Sequence, residues 1–253
     1  MTVPSDLMAD DALPEPTPVQ VPVPAAVVAA PAKKRHHWIV RLAHWLNAIA
    51  LTGMIASGLQ IYGAFAHFGW KDRLLPVPNP FDSSRYEGFP EAVRLGGWLA
   101  GGLDWHFALA WPFVITGLVY GAFLVVSGEW RKLIFTPQDI RPATAMAAYY
   151  LRLRKTPPEQ GKHNALQKSA YSFIIALGAI ATLTGFAIYK PVQLSFLTAL
   201  FGGFELTRYW HFVSVWLFVG FTIVHVMMVL LADPASLRAI ITGTYRGKYG
   251  SHD

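Results

Sequence analysis

The chain has 253 residues, 53% of them hydrophobic and only 14% charged, whereas a soluble domain carries about 25% charged residues. That composition argues against a soluble single domain, and the apolar content, with nine Trp, ten Tyr and sixteen Phe, excludes disorder of the whole chain. The lack of cysteine excludes disulfide scaffolds, Cys-ligated zinc, iron–sulfur clusters held by this chain, thioether-linked haem and a thiol nucleophile, and leaves nine histidines as the plentiful chemical group.

Residues 1–35 read as a disordered cytoplasmic tail, because the first 32 hold seven prolines among Ala, Val and several acids. No basic segment precedes an apolar core there, so the reading is not a signal peptide. Residues 36–250 read as a transmembrane domain. A helix needs about 20 mostly apolar residues to cross the hydrocarbon core, and four stretches free of Asp, Glu, Lys and Arg meet that length. The first lies between Arg41 and Lys71 and predicts a span over about 40–62, followed by an interfacial tail. A long loop over about 64–104 follows, with Pro76, Pro78, Pro80, Pro90 and a Gly-rich end; it reads equally as a docking surface or a plain connector. The second span is expected over 105–128. The connection over 129–168 contains Pro137 and Pro142, a short helix expected over 143–155, then Pro157 and Pro158. The third and fourth spans are expected over 169–189 and 210–232. None of these stretches alternates as barrel strands do, and Trp38, Trp45, Trp105, Trp111, Tyr189, Tyr209 and Trp210 gather at their ends, as interfacial aromatics do.

Lys and Arg give the expected orientation. Fifteen lie before span one, between spans two and three, and after span four, against six on the other side: Lys71, Arg73, Arg85, Arg94, Lys190 and Arg208. The positive-inside rule then puts both termini in the cytoplasm. The basic pI of about 9.5 is explained by this asymmetry, without a nucleic-acid partner.

Histidine inside a membrane helix is expensive and points to function. Four qualify: His44, His106, His211 and His225. His211 and His225 are fourteen residues apart on span four, about 21 Å along the helix and within about 40° of one face. By depth, His106 matches His211 near the outer face, and His44 matches His225 near the inner one. This is the pattern of two stacked haems, each held by two imidazoles from facing helices. Gly53, Ser57, Gly58, Gly117, Gly121, Gly178, Gly185 and Gly220 would give a macrocycle room, and would equally serve close helix packing. The expected fold is therefore an all-α, integral membrane four-helix bundle binding two haems, metal-ligated by His44, His106, His211 and His225. His36, His37, His67 and His252 carry no expected cofactor.

The string Arg41-Leu42-Ala43-His44-Trp45-Leu46-Asn47-Ala48 with Ser57-Gly58, the segment Asn164-Ala165-Leu166-Gln167-Lys168 and the His211…His225 spacing resemble the bacterial dihaem b-type cytochromes. These include cytochrome b561 and the membrane subunits of nickel–iron hydrogenases, formate dehydrogenases and thiosulfate reductases. The resemblance spans about residues 36–250. It implies two haems b in the bacterial inner membrane, passing electrons between quinone and a periplasmic oxidoreductase partner: a molybdopterin enzyme, a hydrogenase or an iron–sulfur protein. With four spans rather than five, the hydrogenase subunits are the poorer match. The resemblance further implies a quinone contact at Asn164, with His163, Gln167 and Lys168 nearby; Asn164 and Gln167 also read as a capping box. Arg41 and Arg208, each one turn before a histidine, are candidate partners of haem propionates as well as ordinary flanking cations. Two other readings stay open: a stand-alone cytochrome b561 that oxidises a small molecule such as superoxide, and a non-redox membrane anchor.

Overall fold

The computed structural model describes residues 33–34, 37–64, 68, 89–158, 164–232 and 234–245. His36, His67, His163, His252 and the first 32 residues, including most of the expected tail, lie outside that set. Four long apolar helices dominate: α1 (Trp38–Ala64), α2 (Leu99–Ser127), α5 (Ala165–Tyr189) and α7 (Phe204–Ala232). Each is long and apolar enough to cross a membrane. Shorter helices lie at their ends: α3 (Trp130–Leu133), α4 (Ile140–Tyr150), α6 (Ser195–Leu200) and α8 (Pro234–Thr242).

The expected spans correspond to these helices, with shifted boundaries. Helix α2 begins six residues before the expected 105, and α7 six before 210. A search for uncharged residues stops at the first charge, but backbone hydrogen bonding does not, so Asp104, Glu205 and Arg208 sit inside helices. Helix α4 is also displaced, covering 140–150 rather than 143–155. Pro137 opens a 3-10 turn and Pro142 lies in the first turn of α4, where the missing N–H costs nothing.

Two antiparallel hairpins, α1 with α2 and α5 with α7, account for most of the close backbone approach between long helices. Between the hairpins the backbones stand further apart, and side chains bridge the space in layers. Heptad spacing on each helix sets those layers. Near the α2 and α7 N-termini lie Gly58, His106, His211 and Gly185. In the middle, Leu51 and Phe113 meet Phe218 of α7 within one apolar cluster, and Gly178 lies against Phe113. At the other end lie His44 and His225. Phe218 is buried, seven residues from each α7 histidine, so an apolar plug separates the two polar layers.

The ends of the bundle are tied differently. At the terminal end, β1 (Lys33–Lys34) pairs antiparallel with β2 (Thr244–Tyr245), so the folded unit reaches back past residue 35. Gly243 closes α8 with a positive φ of 85°, a conformation that suits glycine. At the far end, the Leu95 N–H donates to the Ala56 carbonyl at 3.1 Å, tucking the segment before α2 against α1. Between α2 and α5, Lys168 Nζ donates to Asp139 Oδ1 at 2.9 Å, while Asp139 Oδ2 accepts from the Thr136 N–H and hydroxyl. Ser172 Oγ accepts from the Phe135 N–H at 2.8 Å and completes this anchor of the connection on α5.

The Lys168 bond, reinforced by Thr136, holds the Asp139 carboxyl at a pKa of about 2, below its ordinary 3.8. A depressed carboxyl stabilises the fold above its unfolded pKa and ceases to do so as pH falls through the folded one. Pepsin cleavage of detergent-solubilised protein within 134–150 is therefore expected to rise between about pH 4 and pH 2. Asp139→Asn is expected to be cleaved readily across that whole range.

Candidate functional site

The four membrane histidines meet in pairs. The rings of His106 and His211 are 6.1 Å apart, centroid to centroid, and those of His44 and His225 are also 6.1 Å apart. With a metal–imidazole bond of about 2 Å and about 1 Å more to each ring centre, two imidazoles flanking one ion stand about 6 Å apart. Both pairs thus have the spacing for one iron between them. Each pair also bridges the two hairpins, where the backbones are spread.

The far-end pair is held by hydrogen bonds that determine where its protons lie. His106 Nδ1 is 3.1 Å from the Met54 carbonyl oxygen and 3.1 Å from Ser57 Oγ. A carbonyl can only accept, so Nδ1 carries the hydrogen and Nε2 presents a lone pair. His211 has the matching arrangement. Thr184 Oγ1 donates to the Ile180 carbonyl at 2.7 Å and receives the His211 Nδ1–H at 3.0 Å. Ser57 likewise donates to Gly53 at 2.8 Å. The two hydroxyls are fully buried. Each is followed by a glycine against the ring: a Cβ on Gly58 would lie 3.6 Å from His106 Cε1, and one on Gly185 3.2 Å from His211 Cε1.

The terminal-end pair is set among aromatics. Trp45 meets His44 edge-on at 5.3 Å, and Phe221 stacks parallel to His225 at 5.8 Å. Among the described residues, three buried side-chain polar atoms have no hydrogen-bond partner: Asn47 Oδ1, one turn after His44, Trp216 Nε1, five residues after His211, and Arg94 Nε. Arg94 adjoins Leu95, which is bonded to α1 one residue from Ser57. Such atoms suit the polar edge of a bound group.

The remaining expected residues are placed as follows. Arg41 directs its guanidinium to the carbonyls of Ile240 and Ile241, at the C-terminal turn of α8. Arg208 pairs with Glu205 at 3.0 Å and lies over the Phe68 ring at 5.4 Å. Asn164 is buried at the start of α5 and forms the capping box, accepting from the Gln167 N–H at 2.7 Å and donating its own N–H to Gln167 Oε1 at 3.2 Å. Sequence reasoning gave no site role to Thr184, counted Arg94 only as one of the outer cations, and used Ser57 as a small residue and part of the family string but not as a histidine partner. The signal available was a hydroxyl–glycine pair at equal depth in spans one and three, Ser57-Gly58 and Thr184-Gly185.

Residues 35–243 match the prokaryotic cytochrome b561 family. The chain belongs to that family. The cytochrome is 36% identical to the Azospira oryzae protein named protein-methionine-sulfoxide reductase subunit YedZ1, over 81% of this chain and 94% of that protein. It is 27% identical to the Ni/Fe-hydrogenase 1 B-type cytochrome subunit of Escherichia coli K12, over 84% and 88% of the two chains. The corresponding subunit of Cupriavidus necator is 25% identical, over 82% and 83%. The cytochrome is thus a multi-pass protein of the bacterial inner membrane that binds haem b and transfers electrons alongside a partner oxidoreductase.

The two ring-facing glycines separate steric from other effects. Gly185→Val forces the His211 ring away, since a Cβ alone already sits at 3.2 Å, and is expected to lower the haem-to-protein ratio. Gly58→Ala meets only ordinary van der Waals contact and is expected to leave that ratio unchanged. Pyridine haemochrome assay of the purified variants reads both.

Proposed function

We propose that the cytochrome holds two haems b, one between His44 and His225 and one between His106 and His211, and carries electrons between quinone and an oxidoreductase subunit docked at the far end. The observation supporting this is the recurrence of one geometry, a facing imidazole pair at 6.1 Å, in two layers about 21 Å apart on α7. When bound, haem supplies reversible one-electron chemistry, and imidazole on both axial positions suits electron transfer. The residues supply the axial nitrogens, fix the ring orientations, and keep water out of the plug around Phe218. Arg94 and Arg208, which pair with Glu91 at 3.9 Å and Glu205 at 3.0 Å, are the far-end cations that would exchange those partners for haem carboxylates. Arg41 is engaged with α8 instead.

The excess of Lys and Arg favours the cytoplasm for the terminal end and the periplasm for the far end. Quinone would then approach from the cytoplasmic side of the bilayer, near Asn164. The capping box uses the Asn164 Oδ1 and backbone N–H; among the described residues its amide nitrogen has no partner, which supports a role as donor to a quinone carbonyl. The partner is a periplasmic subunit, and the higher identity to YedZ1 than to the hydrogenase subunits favours a reductase.

His44→Ala and His106→Ala are each expected to keep one haem per chain, and the double variant none. Two haems retained in either single variant would overturn the pairing, and no bis-imidazole b-type spectrum in the wild type would overturn the whole reading. Asn164→Asp keeps the helix cap but loses the amide donor. It is expected to slow haem reduction by a quinol analogue about tenfold, the worth of one hydrogen bond, at unchanged haem content.

A further inference from the structure

The two histidine layers differ in what receives the Nδ1 hydrogen. At the far end, a buried hydroxyl with its own proton already given to a backbone carbonyl faces each Nδ1: Ser57 for His106 and Thr184 for His211. The two come from different hairpins yet occupy equivalent places, in Gly53-Met54-Ile55-Ala56-Ser57-Gly58 and Ile180-Ala181-Thr182-Leu183-Thr184-Gly185. Each hydroxyl bonds back one turn to the first residue of its string, and each final glycine abuts the ring of the partner helix. At the terminal end, His44 and His225 instead meet the edge of Trp45 and the face of Phe221. Among the described residues, neither has a side-chain hydroxyl partner.

We propose that Ser57 and Thr184 are a matched pair of positioning residues that add a hydroxyl acceptor to the Nδ1–H of His106, beside the Met54 carbonyl, and to that of His211, and make the far-end haem the lower-potential one. The proposal rests on the two-haem reading above. An acceptor on Nδ1–H pushes electron density toward Nε2 and raises its basicity as a ligand. A more basic axial nitrogen stabilises the ferric over the ferrous state and lowers the potential. The terminal-end haem lacks these acceptors and lies beside the larger set of Lys and Arg, whose field favours the reduced state. Both effects give the same order.

Ser57→Ala and Thr184→Val remove the hydroxyls while leaving the helices apolar; the second preserves shape. Redox titration and electron paramagnetic resonance of the purified, haem-loaded proteins test the idea, with the His44→Ala background identifying the far-end haem. The wild type is expected to titrate in two steps, the far-end haem being the lower. The double hydroxyl variant is expected to raise only that step, by about tenfold in the ratio of reduced to oxidised haem, or about 59 mV for one electron. Its largest g value is expected to shift as well, with the other haem unmoved. Two haems retained with no shift in either step, a shift of both steps, or the far-end haem titrating as the higher would overturn the proposal while leaving the two-haem reading intact. A wild type without two haems would instead overturn that reading.

Discussion

An imidazole in the hydrocarbon core is costly unless its nitrogens are engaged, and the far-end layer of the bundle is built around that demand. Water is not there to serve as a partner, so every donor and acceptor has to be supplied by the protein or by what it binds. At the far end, the Nδ1 side is met by a carbonyl and a buried hydroxyl. On the two-haem reading, the Nε2 side is left for the iron. The spreading of the two hairpins, the glycines against the rings and the 6.1 Å separation suit the flat, wide group that the two-haem reading places there.

The heptad layering makes this arrangement compatible with stable packing. Close approach is concentrated within each hairpin, where Gly53 lies directly against Leu109 and the helices pack like any membrane pair. Between hairpins the chain concentrates its large side chains, with Phe113 and Phe218 edge-to-face in the middle layer. A further aromatic group, Tyr62, Phe68 and Phe212, closes the far end. Rigid aromatic layers thus lie above and below the far-end histidine layer, and on the two-haem reading they would fix the height of the group held there.

Much of this was legible in the sequence because it is written in charge and spacing. Uninterrupted apolar runs mark the four long helices, and the fourteen-residue interval on α7 marks two depths on one face. The depth match of His44 with His225 and of His106 with His211 needed only the direction of each span. What stayed hidden depends on side-chain direction and on contacts across long separations. Arg41 stands one turn before His44, yet its guanidinium reaches some two hundred residues along the chain to the end of α8. Arg94 looked like one more charge in a loop until the Leu95 bond placed it beside α1. Ser57 and Thr184 are ordinary small residues of membrane helices when read one at a time. Their equivalence appears only when each is seen against the histidine of the neighbouring helix. Helix boundaries were missed where Asp104 and Arg208 continue a helix that a charge-based search ends.

Helix α7 gives one histidine to each pair, and it is the last of the four long helices in the chain. The first hairpin, with His44 and His106, therefore leaves the ribosome carrying one half of both layers and neither whole. Until α7 is inserted, no pair exists at either depth. On the two-haem reading, cofactor capture is in this way tied to the completion of membrane insertion, and a truncated or stalled chain would be left without a tightly held, redox-active group exposed in the bilayer.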